Sequence, residues 1–488
     1  MPGDETVFVT VDRRISRDEY ESRLARAASV LREFGVGAGD TIGVALQNCP
    51  QFFELLGAAG ALGAKAVPVA WRLKHEEVRY LVEDSGAKLV FYDSASRDQM
   101  EGLPAVSLED YERRLLEVAP APDIEAGAIR FNMELYSSGT TGRPKAIERA
   151  APTPEELARL RSGAGNFLQI MGVSCAREIH LVCGPLYHSQ PIGFATQALN
   201  AGHRVVMMHG GFDAETCLAT IAREKVTWVT CVPTHLIRIL ALPAGVQARY
   251  DLSSLKAVLH SAAPCPRDVK QAIMKLLPPD TLWEIYGGTE GSMTMLSPQE
   301  ALARPGSVGK AFPPGTELKI LDDQGNALPP GVPGLVFGTP LMGFRYRGAK
   351  ELDNQTWRGG LYTLGDVGYL DEEGYLFLTD RRKDMIISGG ANVYPAEVEA
   401  VLFNHPAIGD CTVIGVPDSH WGEKVKAIVE LRGGANEAEI IDYCRANLAH
   451  YKCPTSVDFV ASLPRDPNGK VRKRELRETY WAGAGRSI

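Results

Sequence analysis

Residues 136–145 read YSSGTTGRPK. Gly139 and Gly142 stand among four hydroxyl side chains, Ser137, Ser138, Thr140 and Thr141, and the run ends on Lys145. Glycine lets backbone N–H groups come close to an anion, hydroxyls donate to its oxygens, and lysine adds positive charge. The composition is that of a loop for phosphates. The spacing differs from GxxxxGK[ST], which argues against a kinase or GTPase loop. The competing interpretation is a polar surface turn, common for any short Gly/Ser/Thr run.

Outward from this loop, strand and helix signals alternate. Ser16 and Glu19 form a capping-box pattern ahead of Tyr20, Leu24, Ala27, Leu31 and Phe34 at helical spacing, with Gly35 as the stop. An apolar run at Thr41–Leu46, a helical stretch near Gln51–Leu62, a strand at Ala66–Val69, a helix near His75–Glu83 and a strand at Leu89–Tyr92 follow. The pattern returns with a helix at Ala214–Glu224, strands at Thr227–Val232 and Leu282–Tyr286, and a helix at Pro266–Leu277. Such alternation predicts parallel sheets covered by helices. Beyond about residue 384 come short helices at Ala396–Phe403 and Glu437–Leu448 and strands near Thr412–Val416 and Lys426–Glu430. The predicted fold class is α/β: a large N-terminal domain of parallel-rich sheets with packed helices, residues 1–382, and a small mobile α+β C-terminal domain, residues 383–488. The charged segment TDRRK, 379–383, marks the boundary.

The 488 residues, 45% hydrophobic, suffice for more than one core. A net charge of -8 offers no broad attraction to nucleic acid, so any polyanion needs a local site. Nine cysteines show neither CxxC pairs nor zinc spacing, which predicts a reducing compartment. The N-terminus has no signal-peptide pattern, and Phe52–Trp71 is interrupted by Glu54, Lys65 and Pro68. The expectation is a cytoplasmic chain without a membrane span. A homodimer is left open.

With the segments that follow it, the loop resembles the phosphate loop of the adenylate-forming superfamily, in its acyl-CoA synthetase branch, and the likeness runs nearly the whole chain. YGGTEG, 286–291, comes directly after a predicted strand. The resemblance implies that Tyr286 packs on adenine, Thr289 contacts phosphate and Glu290 holds Mg2+; Gly287 and Gly288 line the same loop. In YTLGD, 362–366, the resemblance gives Asp366 the ribose hydroxyls, and a carboxylate has two acceptor oxygens suited to a diol. GYLFLTDRRKDMIISGGANVYPAEVE, 374–399, is the most specific match. It implies Arg381 at the ribose or phosphates, Lys383 as hinge, and Ser388, Gly389 and Gly390 in a loop along the pantetheine arm of coenzyme A. PRDPNGKVRK, 464–473, resembles the C-terminal loop whose lysine, here Lys470, serves the first half-reaction. A surface basic run is the alternative there, since Arg472, Lys473 and Arg474 adjoin it.

The resemblance implies an ATP-dependent acid:CoA ligase. A carboxylate resists attack by a thiol until it carries a better leaving group. ATP supplies one as AMP, with Thr140, Lys145, Glu290 and Lys470 as catalytic residues and Mg2+ and coenzyme A as further requirements. By resemblance His188 in PLYHS, Trp228 and Thr234 border the acyl group, and Ala262 and Ala263 in SAAP line the nucleotide side. Small residues at 261–263 and 287–288 favour a large apolar acid, with a fatty acid first and aryl or steroid-side-chain acids as alternatives. A ligase that loads a carrier protein, and an inactive nucleotide-binding protein, are the remaining readings.

Overall fold

The computed structural model describes residues 5–124, 131–137, 144–149, 153–154, 156, 167–174, 177–263, 265–381, 384–388, 391–393, 395–418, 422–448, 450–465 and 471–482. The chain divides into two compact units. The first comprises Met1–Ala262, Gln271–Ser292 and Leu341–Asp353, and the second Ala263–Lys270, Met293–Pro340 and Asn354–Ile488.

In the first unit, Ser16 caps the helix Arg17–Glu33 by accepting from the Glu19 N–H at 3.2 Å. The Glu19 carboxylate pairs with Arg13, so the reciprocal half of the expected capping box is replaced by an ion pair. A first sheet runs Lys65–Pro68, Thr41–Ala45, Ala87–Tyr92, Ala105–Ser107 in space, parallel throughout. Thr41–Ala45 is buried at every residue, as expected for a parallel strand covered on both faces. Glu54, which interrupts the apolar stretch 52–71, is wholly buried in the helix Pro50–Ala61. It meets Arg23 at 2.6 Å and accepts from the Tyr111 hydroxyl at 2.9 Å. A charge there is tolerated because it is paired and hydrogen-bonded.

A second sheet places Leu282–Gly287, Ala257–His260, Trp228–Cys231, Ile179–Val182, Arg204–Met207 and Thr6–Val9 side by side, each parallel to its neighbour. A small antiparallel sheet of Leu135–Ser137, Lys145–Arg149 and Phe344–Tyr346 flanks the phosphate loop. The last strand comes from nearly two hundred residues downstream, a pairing that local periodicity does not reveal.

The second unit is antiparallel well before residue 384. Leu318–Leu321, Gly334–Gly338, Asp366–Leu370 and Leu376–Arg381 pair in succession. Nearer the C-terminus the long hairpin Ile408–Asp418 and Gly422–Leu431 anchors a five-stranded sheet. Along it Cys411 and Val413 face the helices Pro395–Leu402 and Glu437–Asn447, while Ile414 and Val416 face the other way, toward Leu463 and Leu476. That is the alternation a sheet with two covered faces requires. Among the described residues, no helix is long and apolar enough to cross a membrane.

His180 is wholly buried, its ring stacked on Trp228 with centroids 3.7 Å apart, and burial lowers its pKa to about 3. The unfolded chain takes up this proton below about pH 6.5, whereas the folded one does so only near 3. The associated stability is therefore full above 6.5 and is lost as pH falls toward 3. Between pH 7 and pH 5, His180→Phe should reduce the fall in unfolding free energy by about 2 kcal/mol, read by denaturant titration at both pH values.

Candidate functional site

The phosphate loop is mounted on the small antiparallel sheet. Ser137 opposes Lys145 in the ladder, and the Ser137 Oγ lies 3.4 Å from the Lys145 carbonyl. Ser138, Gly139, Thr140, Thr141 and Gly142 lie outside the described residues, but both stems of their loop are fixed. Tyr80 donates to the Pro144 carbonyl at 2.9 Å, and Tyr136 donates to Asp84 at 2.7 Å, so the helix His75–Ser85 holds both ends. Arg347, one residue past the third strand, joins the rest. Its guanidinium pairs with Glu134, meets Glu148 at 3.1 Å and donates to the Asp84 carbonyl at 3.1 Å. These carboxylates raise the arginine's pKa against the opposing effect of burial.

The YGGTEG loop leaves the C-terminal end of the strand Leu282–Gly287, where parallel sheets present ligand-binding loops. Gly288 N–H donates to the Gly291 carbonyl at 2.9 Å and Gly291 N–H returns the bond at 3.2 Å, a tight turn that displays Thr289 and Glu290. A Cβ on Gly287 would lie 2.5 Å from the Gly291 carbonyl oxygen and 2.7 Å from Ser292 Cα, so only glycine fits. Tyr286 is half-buried just before this turn.

Arg149, the last residue of the strand that begins at Lys145, donates Nη2 to the Thr289 carbonyl at 2.8 Å and Nη1 to the Glu290 carbonyl at 3.1 Å. Tyr346, on the neighbouring strand, donates its hydroxyl to Glu290 Oε1 at 2.7 Å. Thr289 Oγ1 reaches Ser189 Oγ at 3.4 Å. One sheet thus carries the stems of the phosphate loop and aims the carboxylate expected to hold Mg2+. Among the described residues, no group of three His, Cys, Asp or Glu could hold a metal ion. A single anchored carboxylate still suits Mg2+, which takes most of its oxygens from phosphate and water.

His188 stands at the N-cap position of the helix Ser189–Asn200 without a side-chain capping bond, and its ring lies 4.3 Å from that of Tyr187. Burial, with the charge of Arg72 adding to it, brings its pKa down to about 4, so it is neutral at pH 7. Thr234 is half-buried in the first turn of the helix Pro233–Leu240. Trp228 is wholly enclosed, stacked on His180, and its indole N–H donates to His203 Nδ1 at 3.2 Å. Ala262, two residues past the strand Ala257–His260, has φ +74. That left-handed backbone costs an alanine about 1–2 kcal/mol, a strain found most often at functional loops. Ala263 belongs to the second unit.

In the second unit, Asp366 is buried and stands directly opposite Arg381 in the antiparallel ladder. Two residues fifteen apart in sequence, both expected at the ribose, are cross-strand partners. Ser388 ends a short strand and pairs with Ala391 and Gly422. Lys383, Gly389, Gly390 and Lys470 lie outside the described residues. The basic residues after Lys470 each have an acid: Arg472 pairs with Glu475, Lys473 with Glu399 and Arg474 with Glu478. Local patterns carry no signal for Tyr346 or Arg347, whose contacts with Glu290 and Asp84 lie 56 and 263 residues away.

A parallel α/β unit with a nucleotide-type phosphate loop, and a second unit with the paired Asp366 and Arg381, define an adenylate-forming enzyme. The family model for AMP-binding enzymes matches residues 1–342, and that for the AMP-binding enzyme C-terminal domain matches 397–470. The chain belongs to this family, among its acyl- and aryl-CoA ligases. It is 31% identical to a fatty acid–[acyl-carrier-protein] ligase of Streptomyces coeruleorubidus over 98% of this chain and 93% of the relative. It is 34% identical to a feruloyl-CoA synthase of an Amycolatopsis species over 95% and 93%. The solved structure of o-succinylbenzoate CoA synthetase from Bacillus subtilis, in complex with its acyl-adenylate intermediate, superimposes with a TM-score of 0.83. The identity is 28%, over 97% of this chain and 95% of that one.

Tyr346→Phe removes the bond that holds Glu290. It should raise the Mg2+ concentration for half-maximal ATP binding, measured by calorimetry, by about tenfold, with little change in melting temperature. Arg347→Met leaves Glu134, which is 4% exposed, with Lys65 at 3.3 Å as its remaining cation. A loss of about 1–3 kcal/mol in unfolding free energy is expected, read by denaturant titration.

Proposed function

We propose that this protein joins a hydrophobic carboxylic acid, a fatty acid first, to coenzyme A in two steps through an acyl-AMP. The observation that carries the proposal is the single sheet that fixes both the stems of the phosphate loop and, through Arg149 and Tyr346, the Thr289–Glu290 turn. Adenylation needs this coupling, because the attacked α-phosphorus must be aligned while charge on the departing pyrophosphate is neutralised.

In the first step the acid's carboxylate oxygen attacks the α-phosphorus of ATP in line, the P–O bond to the β-phosphate breaks, and pyrophosphate leaves. Lys145, Thr140 and Thr141 receive the leaving charge, and Lys470 steadies the pentacoordinate centre. Glu290 holds Mg2+, which supplies charge screening across the triphosphate. Asp366 and Arg381 hold the ribose, while Tyr286, Ala262 and Ala263 bound the adenine. In the second step the coenzyme A thiolate attacks the acyl carbonyl and AMP departs with the bonding electrons. Gly287 and Gly288 leave room for the acyl group, and Ser388, Gly389 and Gly390 are assigned to the pantetheine arm. His188 and Thr234 are assigned to the acyl side, whereas the wholly enclosed Trp228 belongs to the core; a neutral His188 suits the carboxylate end of an apolar acid, because it adds no full charge to the pocket.

Lys470 and the 388–392 loop serve different steps, and the small domain turns about Lys383 between them. The acyl acceptor is coenzyme A; a carrier protein is the second reading, favoured by the Streptomyces relative. Pyrophosphate release should depend on medium- or long-chain fatty acids in a panel that also holds aryl and steroid-side-chain acids. AMP release should rise with coenzyme A and not with acyl carrier protein. Lys470→Ala should lower acid-dependent pyrophosphate exchange by about a hundredfold, while synthetic acyl-AMP still reacts with coenzyme A. Equal loss of both activities would overturn the two-step, two-loop reading.

A further inference from the structure

The basic run after Lys470 holds three cations in two different settings. Arg472 pairs with Glu475 at 2.7 Å and Arg474 with Glu478 at 2.9 Å, one helical turn away, on side chains about half exposed. Such pairs contribute about 0–1 kcal/mol and position nothing distant. Lys473 turns inward instead. Its Nζ lies 2.9 Å from Glu399 Oε1, with both side chains only 17% exposed.

Glu399 sits on the helix Pro395–Leu402, which follows the 388–392 loop in the chain. The same Oε1 accepts from the Thr412 hydroxyl at 2.9 Å and from the Val413 N–H at 2.7 Å, so the carboxylate is locked onto the long hairpin. Its helix is held by Val398 and Leu402 in the core with Ile386 and Ile408. This is a rigid anchor, and Lys473 is moored to it.

The stem of the Lys470 loop has matching supports. Arg465 and Val471 form an isolated antiparallel bridge, and the Arg472 N–H donates to the Pro464 carbonyl at 2.8 Å. Arg465 pairs with Asp410 on the hairpin, and Val471 packs near Leu463 and Ile414. The chain therefore leaves at Arg465 and re-enters at Val471 at one fixed place. Lys470 directly precedes Val471 in the sequence.

We propose that the Glu399–Lys473 ion pair is a positioning device for Lys470, holding the base of its loop in the register that adenylation requires. The proposal rests on the assignment of Lys470 to the first half-reaction. A loop displaced by about 1 Å can lose a hundredfold in rate. The described ends of the 388–392 loop are held by strand pairing, Ser388 with Ala391 and Gly422, and not by the ion pair, so the second half-reaction does not depend on it.

The test uses the full-length enzyme and measures each half-reaction alone: acid-dependent pyrophosphate exchange, and acyl transfer from synthetic acyl-AMP to coenzyme A. Glu399→Gln and Lys473→Met should each lower exchange at least about tenfold, with transfer changed less than about twofold. Lys473→Arg, which keeps the charge and the reach, should recover most of the exchange. Should Lys473→Met fail to fold, Glu399→Gln carries the test, because its amide oxygen still accepts from Thr412 and Val413. Lys470→Ala is run beside them. Exchange that survives in Glu399→Gln and Lys473→Met but is lost in Lys470→Ala overturns the positioning role alone. Exchange that survives in Lys470→Ala removes the lysine's assigned role and overturns both. Parallel loss of both half-reactions shows a merely structural pair and also overturns the proposal.

Discussion

The guanidinium of Arg347 holds together the part of the molecule from which the proposed chemistry follows. It faces Glu134 on the approach to one stem of the phosphate loop, Glu148 beyond the other, and the Asp84 carbonyl at the end of a helix of the first sheet. Glu134 is almost fully buried, and Arg347 together with Lys65, at 3.3 Å, makes its charge tolerable. The arginine is brought there by the strand Phe344–Tyr346, and the same strand sends Tyr346 to Glu290. The strand that brings a partner to this buried acid thus also anchors the carboxylate proposed to hold the metal.

Glycine and strain complete the presentation of the nucleotide loops. Gly287 has no room for a Cβ against the Gly291 carbonyl, which lets the Thr289–Glu290 turn fold back on its own strand. Arg149 then clamps that turn by two successive carbonyls. Donors fixed in advance need no reorganisation when charge develops on phosphate, and this is the usual source of electrostatic catalysis. Near the C-terminus the logic is repeated with an ion pair, where Glu399 is tied to the hairpin by two hydrogen bonds and holds Lys473.

Where patterns are local, the sequence was a sound guide. The helix Arg17–Glu33 starts at its serine cap, Ala214–Glu224 falls where the apolar spacing puts it, and the parallel strands read as continuous apolar runs because both faces are covered. The antiparallel region 318–381 was not legible, since its short strands pair across turns and carry little periodicity of their own. Motifs singled out Glu290, Asp366 and Arg381 as candidates, because the chemistry expected at phosphate, metal and ribose sites restricts which residue types can serve.

By itself the sequence determined the kind of chemistry: glycines and hydroxyls beside a lysine for phosphate, a carboxylate after a strand, and a spaced series of motifs that specifies acyl-adenylate formation. Tertiary structure alone decided how those groups are held. Tyr346 reaches Glu290 and Arg149 reaches the Thr289 carbonyl because strands distant in sequence are neighbours in one sheet. It also decided that Lys473 belongs to an internal ion pair and not to a solvated basic run. The physical reason is that residue type is a local property, whereas burial and pairing depend on which distant segments the fold brings within about 3 Å.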